Sequence, residues 1–409
     1  MKNTGFILLL AVSPLVFCGS AGIAAEVGRK STSSATKLSL TRAENSAMDK
    51  KHRLRAAEMI NSGLEYLISQ QDPDGGWSLN GAFKPAITAL VLKALLQHPD
   101  MNVETPIVSK GFDLLLSYQQ GDGAIYDPKQ GRSNYSTAIA VCALTAARKA
   151  KFKPNIDKAV KYLRSLQIIP GSESPDGKEI YENHPFMGGV SYGRHGRPDI
   201  NNVGWWMEAM HDAGVAGDDP AMQRALLFVT RCQNRSESNP LVWAKEGDND
   251  GGFIYAPGMR DITVGESPAG KGPGGRGLRS FGSDSYIAWK SMLYAGLTKD
   301  DPRVRAVYGW IRRYWTLDAN PNMPKGRDQQ GMYFYYLVFA RALRAWGQKE
   351  IPAFRGDAKH NWREELVDAL DRRVRPDGSW ANPSPRWGEG IPVLVTTYEV
   401  QALQETLKK

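Results

Sequence analysis

The stretch Ala57-Glu-Met-Ile-Asn-Ser-Gly-Leu-Glu-Tyr-Leu-Ile-Ser-Gln-Gln71 runs through Asp72-Pro-Asp-Gly-Gly-Trp77 into Lys84-Pro-Ala-Ile-Thr-Ala-Leu-Val-Leu-Lys-Ala-Leu-Leu96. Its first part sets Ile60, Leu64, Leu67 and Ile68 on one face at helical spacing. The Pro-Asp-Gly-Gly segment reads as a turn, because proline fixes φ and glycine permits positive φ. The last part is apolar nearly all round, as in a helix buried between layers. Together they make one helical hairpin. The unit recurs, with first helices expected near 57–71, 106–120, 155–167, 220–233, 302–315 and 361–374. Second helices are expected near 84–97, 134–149, 199–214, 283–297, 331–347 and 394–407. The turn chemistry returns in Gln119-Gln-Gly-Asp-Gly123, Asp248-Asn-Asp-Gly-Gly-Phe253 and Arg375-Pro-Asp-Gly-Ser-Trp380, while residues 234–282 stretch the fourth unit. An open stack of hairpins needs polar end caps. The sixth second helix, with Val395, Tyr398, Val400 and Leu403, is as apolar as the first. The expectation is an all-α closed ring, six helices inside and six outside.

Composition agrees with a globular chain: 409 residues, 42% hydrophobic and 23% charged, which excludes a disordered or collagen-like protein. The 52 Lys and Arg exceed the 43 Asp and Glu, but no block of like charge suggests a nucleic-acid arm. Lys2, the apolar run from Phe6 to Val12 and the small residues ending at Ala24 and Ala25 read as a signal peptide over 1–25. Export to the periplasm or outside the cell is expected. Bulky Phe17 before Cys18 argues against a lipoprotein signal. Residues 26–55 read as a polar, disordered leader and 56–409 as the ring domain. Cys142 and Cys232 lie in apolar helical patterns and read as buried thiols, with a single disulfide between them left open. No cysteine has a partner at zinc-site spacing, so no metal and no other cofactor is expected.

Gln70 to Gly75-Gly-Trp77 and Arg375 to Gly378-Ser-Trp380 resemble the QW-type repeats of squalene–hopene and oxidosqualene cyclases and of protein prenyltransferase β subunits. The resemblance implies an (α/α)6 toroid in which Gln70, Gln71, Trp77 and Trp380 are structural. It also says what chemistry to look for. The cyclases open an inner helix with Asp-x-Asp-Asp, whose middle Asp donates the proton. Here the element is Asp199-Ile-Asn201-Asn202, with amides at both later positions, and Asp199 also suits a helix N-cap. The prenyltransferase zinc site uses an Asp and a Cys two residues on, but Asp284 is followed by Tyr286.

The candidates are therefore Asp199, Asp284 and His195 for acid–base work. Asn201, Asn202, Trp205, Tyr286, Trp289, Tyr333, Tyr335, Arg194 and Arg197 are the candidates for ligand contact. In a closed ring the inner helices run parallel, so their N-termini share one mouth. Asn201, His195 and Tyr286 are expected to converge there on an anionic or sugar-like ligand. The Gly-rich stretch Pro268–Gly277 lacks the Gly-Lys-Ser/Thr ending of a phosphate loop and reads as a flap beside that mouth. An isoprenoid-acting, cyclase-like protein with both motifs degenerate is the leading reading. A polysaccharide lyase or hydrolase, or a non-catalytic toroid binding a glycan, lipid or protein, is the alternative.

Overall fold

The structure is a computed structural model that describes residue 38, residues 47–258 except 174, 176, 178 and 195, and residues 265–408 except 273, 274 and 276. The signal-like segment lies outside the described residues, as does most of the leader. The outer helices are α1 (Lys50–Ser69), α3 (Pro106–Ser117), α5 (Lys153–Ser165), α7 (Pro220–Arg231), α10 (Pro302–Arg313) and α12 (Trp362–Asp371). The inner helices are α2 (Lys84–Leu96), α4 (Ser133–Ala146), α6 (Ile200–Asp212), α9 (Gly282–Tyr294), α11 (Met332–Trp346) and α13 (Pro392–Leu407). A short helix α8 (Val242–Lys245) decorates the long fourth connection. A two-residue antiparallel pair, β1 (Ile351–Pro352) with β2 (Lys359–His360), sits between α11 and α12.

The inner helices pack in the order α2, α4, α6, α9, α11, α13, and α13 returns to α2. That contact closes the ring. The outer helices pack against this barrel, with α1 seated on α13 and α12. Among the described residues no helix is long and apolar enough to cross a membrane.

Two repeated devices hold the hairpins in register. Gln71, Gln119, Gln167 and Gln233 each donate to the carbonyl of a turn glycine and to a carbonyl in the first turn of the next outer helix, at 2.8–3.3 Å. Gln71 does this work and Gln70 does not; one residue along a helix is a rotation of about 100°, which leaves Gln70 exposed against Ser69. The second device is the indole. Trp77 and Trp380 are fully buried and donate to the carbonyls of Leu67 and Leu370 at 2.7 and 3.0 Å. Both serve packing, away from the ring's axis.

The turn glycines are dictated by contact as well as by backbone. Gly188 has φ +85°, and a Cβ there would meet the Arg224 carbonyl at 1.9 Å. Gly378 has φ +81° and touches the backbone of Ser62 in α1, so the sixth turn abuts the first helix.

Helix α1 begins at Lys50, earlier than expected, because Asp49 caps it by accepting from the His52 amide at 2.8 Å. Leu38 is buried, with Asn61 reaching its carbonyl. Cys142 and Cys232 are buried and free.

Candidate functional site

The N-terminal ends of all six inner helices border one cavity of about 590 Å³. That is within the range of small-molecule sites. One wall is apolar and aromatic: Phe83, Trp205, Phe334, Trp387, Leu394 and Tyr398. Phe334 and Tyr398 tilt together at 5.9 Å, and Tyr135 meets Trp205 edge-on at 6.4 Å. The other wall is polar, with Arg132, Tyr192, Arg197, Asn201, Tyr255 and Glu266. Pro268 and Glu266 bring the expected flap to the rim.

Seven described non-glycine residues have positive φ, and three are asparagines, which tolerate it. Of the other four, Phe83 (φ 56°), Arg132 (φ 59°) and Trp387 (φ 58°) line this cavity. Phe83 and Arg132 are the N-cap residues of α2 and α4, and the Arg132 guanidinium lies 4.1 Å over the Phe83 ring. Backbone strain of this kind collects at functional sites, where surrounding structure over-determines it.

Two candidate acids stand at inner-helix starts, and of the two only Asp284 lines the cavity. Asp199 caps α6: its Oδ1 accepts from the amides of Asn201 and Asn202 at 3.1 and 2.9 Å, and its Oδ2 accepts from Asn202 Nδ2 at 2.7 Å. Burial raises its pKa, with those hydrogen bonds opposing. Asp284 sits in the first turn of α9 on the cavity floor and is 0% exposed. Neither of its oxygens makes a well-formed hydrogen bond, although the Asn201 amide is nearby. Burial, reinforced by the charge of Asp199, pushes its pKa well up.

The other candidates divide cleanly. Asn201, Asn202, Trp205 and Arg197 reach the cavity. Arg197 is ion-paired with Glu266 and lies 5.4 Å from the Tyr255 ring centroid, so it adds little free positive charge. Arg194 faces an outer groove, 5.2 Å over Tyr162 and 3.7 Å from Asp122. His195 lies outside the described residues. Tyr286, Trp289, Tyr333 and Tyr335 are not in the cavity, against expectation. Tyr286 packs on Trp289, Tyr335 and Phe339, and Trp289 also meets Trp346 at 5.0 Å. The Tyr335 hydroxyl donates to the Thr316 carbonyl at 2.8 Å, and Tyr333 points toward Ala381. The reason is helical phase. Positions two apart on a helix point in nearly opposite directions, so Tyr286 turns outward when Asp284 faces the axis. Tyr286 therefore does not converge with Asn201.

The residues that sequence reasoning missed are Arg132, Tyr192, Tyr255, Phe334, Trp387 and Glu389. Glu389 is buried, accepts from the Phe334 amide at 2.8 Å and from Asn382 Nδ2 at 2.6 Å, and has its pKa pushed up to about 7 by burial.

Residues 82–253 match the squalene-hopene cyclase C-terminal domain. The chain is an α/α toroid, and this part of it is similar to the cyclase family. The match takes in α2 to α8, hence Asp199 and Trp205, and stops before Asp284. Among solved structures, the toroid resembles a D-mannose isomerase, at 11% identity over 88% of this chain and 98% of that one, with a TM-score of 0.55. It also resembles a protein from Actinoplanes, at 15% identity over 86% and 100%, with a TM-score of 0.52. A variant of the type II terpene cyclase MstE from Scytonema, in complex with geranylgeranyl dihydroxybenzoate, aligns at 12% identity over 88% and 98%, with a TM-score of 0.48. Such identities speak to the toroid's fold, and the chemistry rests on the site.

Proposed function

We propose that this exported toroid takes an amphipathic, isoprenoid-like molecule into the N-terminal mouth and that Asp284 acts there as a general acid on an oxygen of that molecule. The single observation carrying this is Asp284 itself, buried at the floor of an aromatic cavity without a hydrogen bond. A raised pKa favours the protonated form that a general acid needs, but it also makes a weaker acid. Such an acid matches an oxygen base, an epoxide or allylic alcohol, better than the bare alkene that an Asp-x-Asp-Asp acid protonates. The proton passes from Asp284 Oδ to the oxygen and the C–O bond breaks with its electron pair going to oxygen. The cation left on carbon faces the rings of Trp205, Phe334 and Tyr398. Loss of a proton or capture of water ends the reaction, and solvent reprotonates Asp284.

The test is incubation with an epoxide-bearing triterpene and, separately, with neutral and uronate oligosaccharides, products being read by mass spectrometry. Turnover of the epoxide, lost in Asp284→Asn with binding kept within a few-fold, supports the reading. No binding of any isoprenoid overturns it. The glycan alternative draws on one observation, the half-exposed flat face of Trp387 at the rim, a surface on which a sugar ring stacks. Export rests on residues 1–25, and N-terminal sequencing of the mature protein from its own cell tests it.

A further inference from the structure

The C-terminal ends of the same six inner helices border a second, larger cavity of about 930 Å³ on the opposite face. Its lining holds six Lys and Arg against three acids, and each acid already has a partner. Glu208 is held by Lys93, Lys290 and Arg341, Asp212 by Lys93, and Glu405 by Lys408. Arg148 and Arg344 make no ion pair among the described residues. Beside Arg344 lies Arg363, in the first turn of α12, which is 5% exposed, with Nε and Nη1 lacking any hydrogen-bond partner. Burial, reinforced by the Arg344 charge and opposed by Glu405, pushes the Arg363 pKa down to about 10. A buried guanidinium with unsatisfied N–H groups is costly, and Glu405 is the one anion acting on it among the described residues.

The dipoles do not account for this excess. Inner-helix C-termini bring negative ends to the face, but the antiparallel outer helices bring positive N-terminal ends around them. Arg148 is the fourth bulky residue held at positive φ, 50°, so strain marks this mouth too. Cys142, Glu208 and Asp212 converge deeper in, within 4.8 Å of one another, but Lys93, Lys290 and Arg341 crowd them, which suits an anion better than a metal ion. On the wall, His211 and Tyr294 stack face to face at 3.8 Å and give a flat surface for an organic group.

We propose that the C-terminal mouth is a second binding site, for a small organic oxyanion such as a phosphate ester, gripped by Arg344 and Arg148, which line it. Guanidinium groups pair in bidentate fashion with phosphate or carboxylate, so both chemistries enter the test. The probes are glucose 1-phosphate, inorganic pyrophosphate, citrate and, as the neutral control, glucose, each titrated calorimetrically into the full chain at two salt concentrations. Saturable binding of a phosphate probe near one per chain, weaker at high salt, is expected, with no heat from glucose. Arg344→Gln should weaken it at least tenfold and Arg148→Gln several-fold, while Arg372→Gln, remote and exposed, leaves it unchanged. Arg344 is only partly buried, so its variant keeps the test usable where Arg363→Gln fails to fold. Binding of citrate with no response to phosphate probes reassigns the ligand and overturns the phosphate reading. No saturation at millimolar probe, or equal affinity in Arg344→Gln, overturns the site.

Discussion

Asp284 and Glu208 stand at opposite ends of one helical barrel and are almost equally buried, at 0% and 2% exposure. Their protons behave in opposite ways. Glu208, in the last turn of α6, is surrounded by three cations that pull its pKa well below the carboxylate range against the cost of burial. Asp284, in the first turn of α9, has no cation acting on it among the described residues and another acid nearby, and its pKa goes well up. Burial alone raises a carboxyl pKa, and only neighbouring cations, present at Glu208, reverse it. One mouth of the ring is thus knitted by paired charge. The other sets an acid with a raised pKa against aromatic walls.

The most severe way to break that contrast is Glu208→Ala, which leaves Lys290 and Arg341 buried without their anion. A loss of about 3–5 kcal/mol is expected by chemical denaturation, and a loss under about 1 kcal/mol would mean that the network is solvated. Because the folded pKa of Glu208 is depressed, its contribution is full above the unfolded value and vanishes as pH falls through the folded one. Asp284 runs the other way. Its raised pKa means that stability is highest in acid and declines as pH climbs toward the folded value. Asp284→Asn should therefore be more stable than the parent at pH 7 and equal to it at pH 3, while turnover falls about a hundredfold or more. A variant that keeps its turnover removes Asp284 from the chemistry.

A milder test uses Glu389, whose pKa of about 7 places its titration in an accessible window. Its stabilising share is present in acid and lost as pH rises through about 7. Glu389→Gln should flatten the stability profile between about pH 5 and 8 and leave the Glu208 network undisturbed. The smallest effect expected is Trp387→Ala, a loss of about 1 kcal/mol in ligand affinity, or several-fold in Kd, with no change in phosphate binding at the far mouth.

The twelve ring helices were legible because Pro, Asp and Gly punctuate the turns and the hairpins repeat. Closure followed from an apolar last helix. Asp199 was legible as a cap. Which aromatics face the axis was not, because the inner helices are buried on both sides, so an apolar residue there does not tell the axis from the outer ring. Tyr286 and Phe334 look alike in sequence, yet only Phe334 reaches the cavity. A signal for the other mouth did exist. Lys93, Glu208, Lys290 and Arg341 are charges set inside otherwise apolar inner helices, and such residues must find one another. Arg132, Tyr192, Tyr255 and Trp387 come from connections, whose placement only the assembled ring decides.

The meeting of the first and last inner helices is the one joint of the barrel that no hairpin loop spans. Gln401 and Gln404 on α13 lay amide groups onto the Leu90 and Ala94 carbonyls of α2 at 2.9 and 2.8 Å, and Gln97 answers Gln404 at 2.7 Å. Mechanically the ring is a bracelet whose clasp is three amides and the Gly378 turn. Pulled from its two ends under an optical trap, it should part at that clasp first, and the remaining hairpins should then peel away one after another.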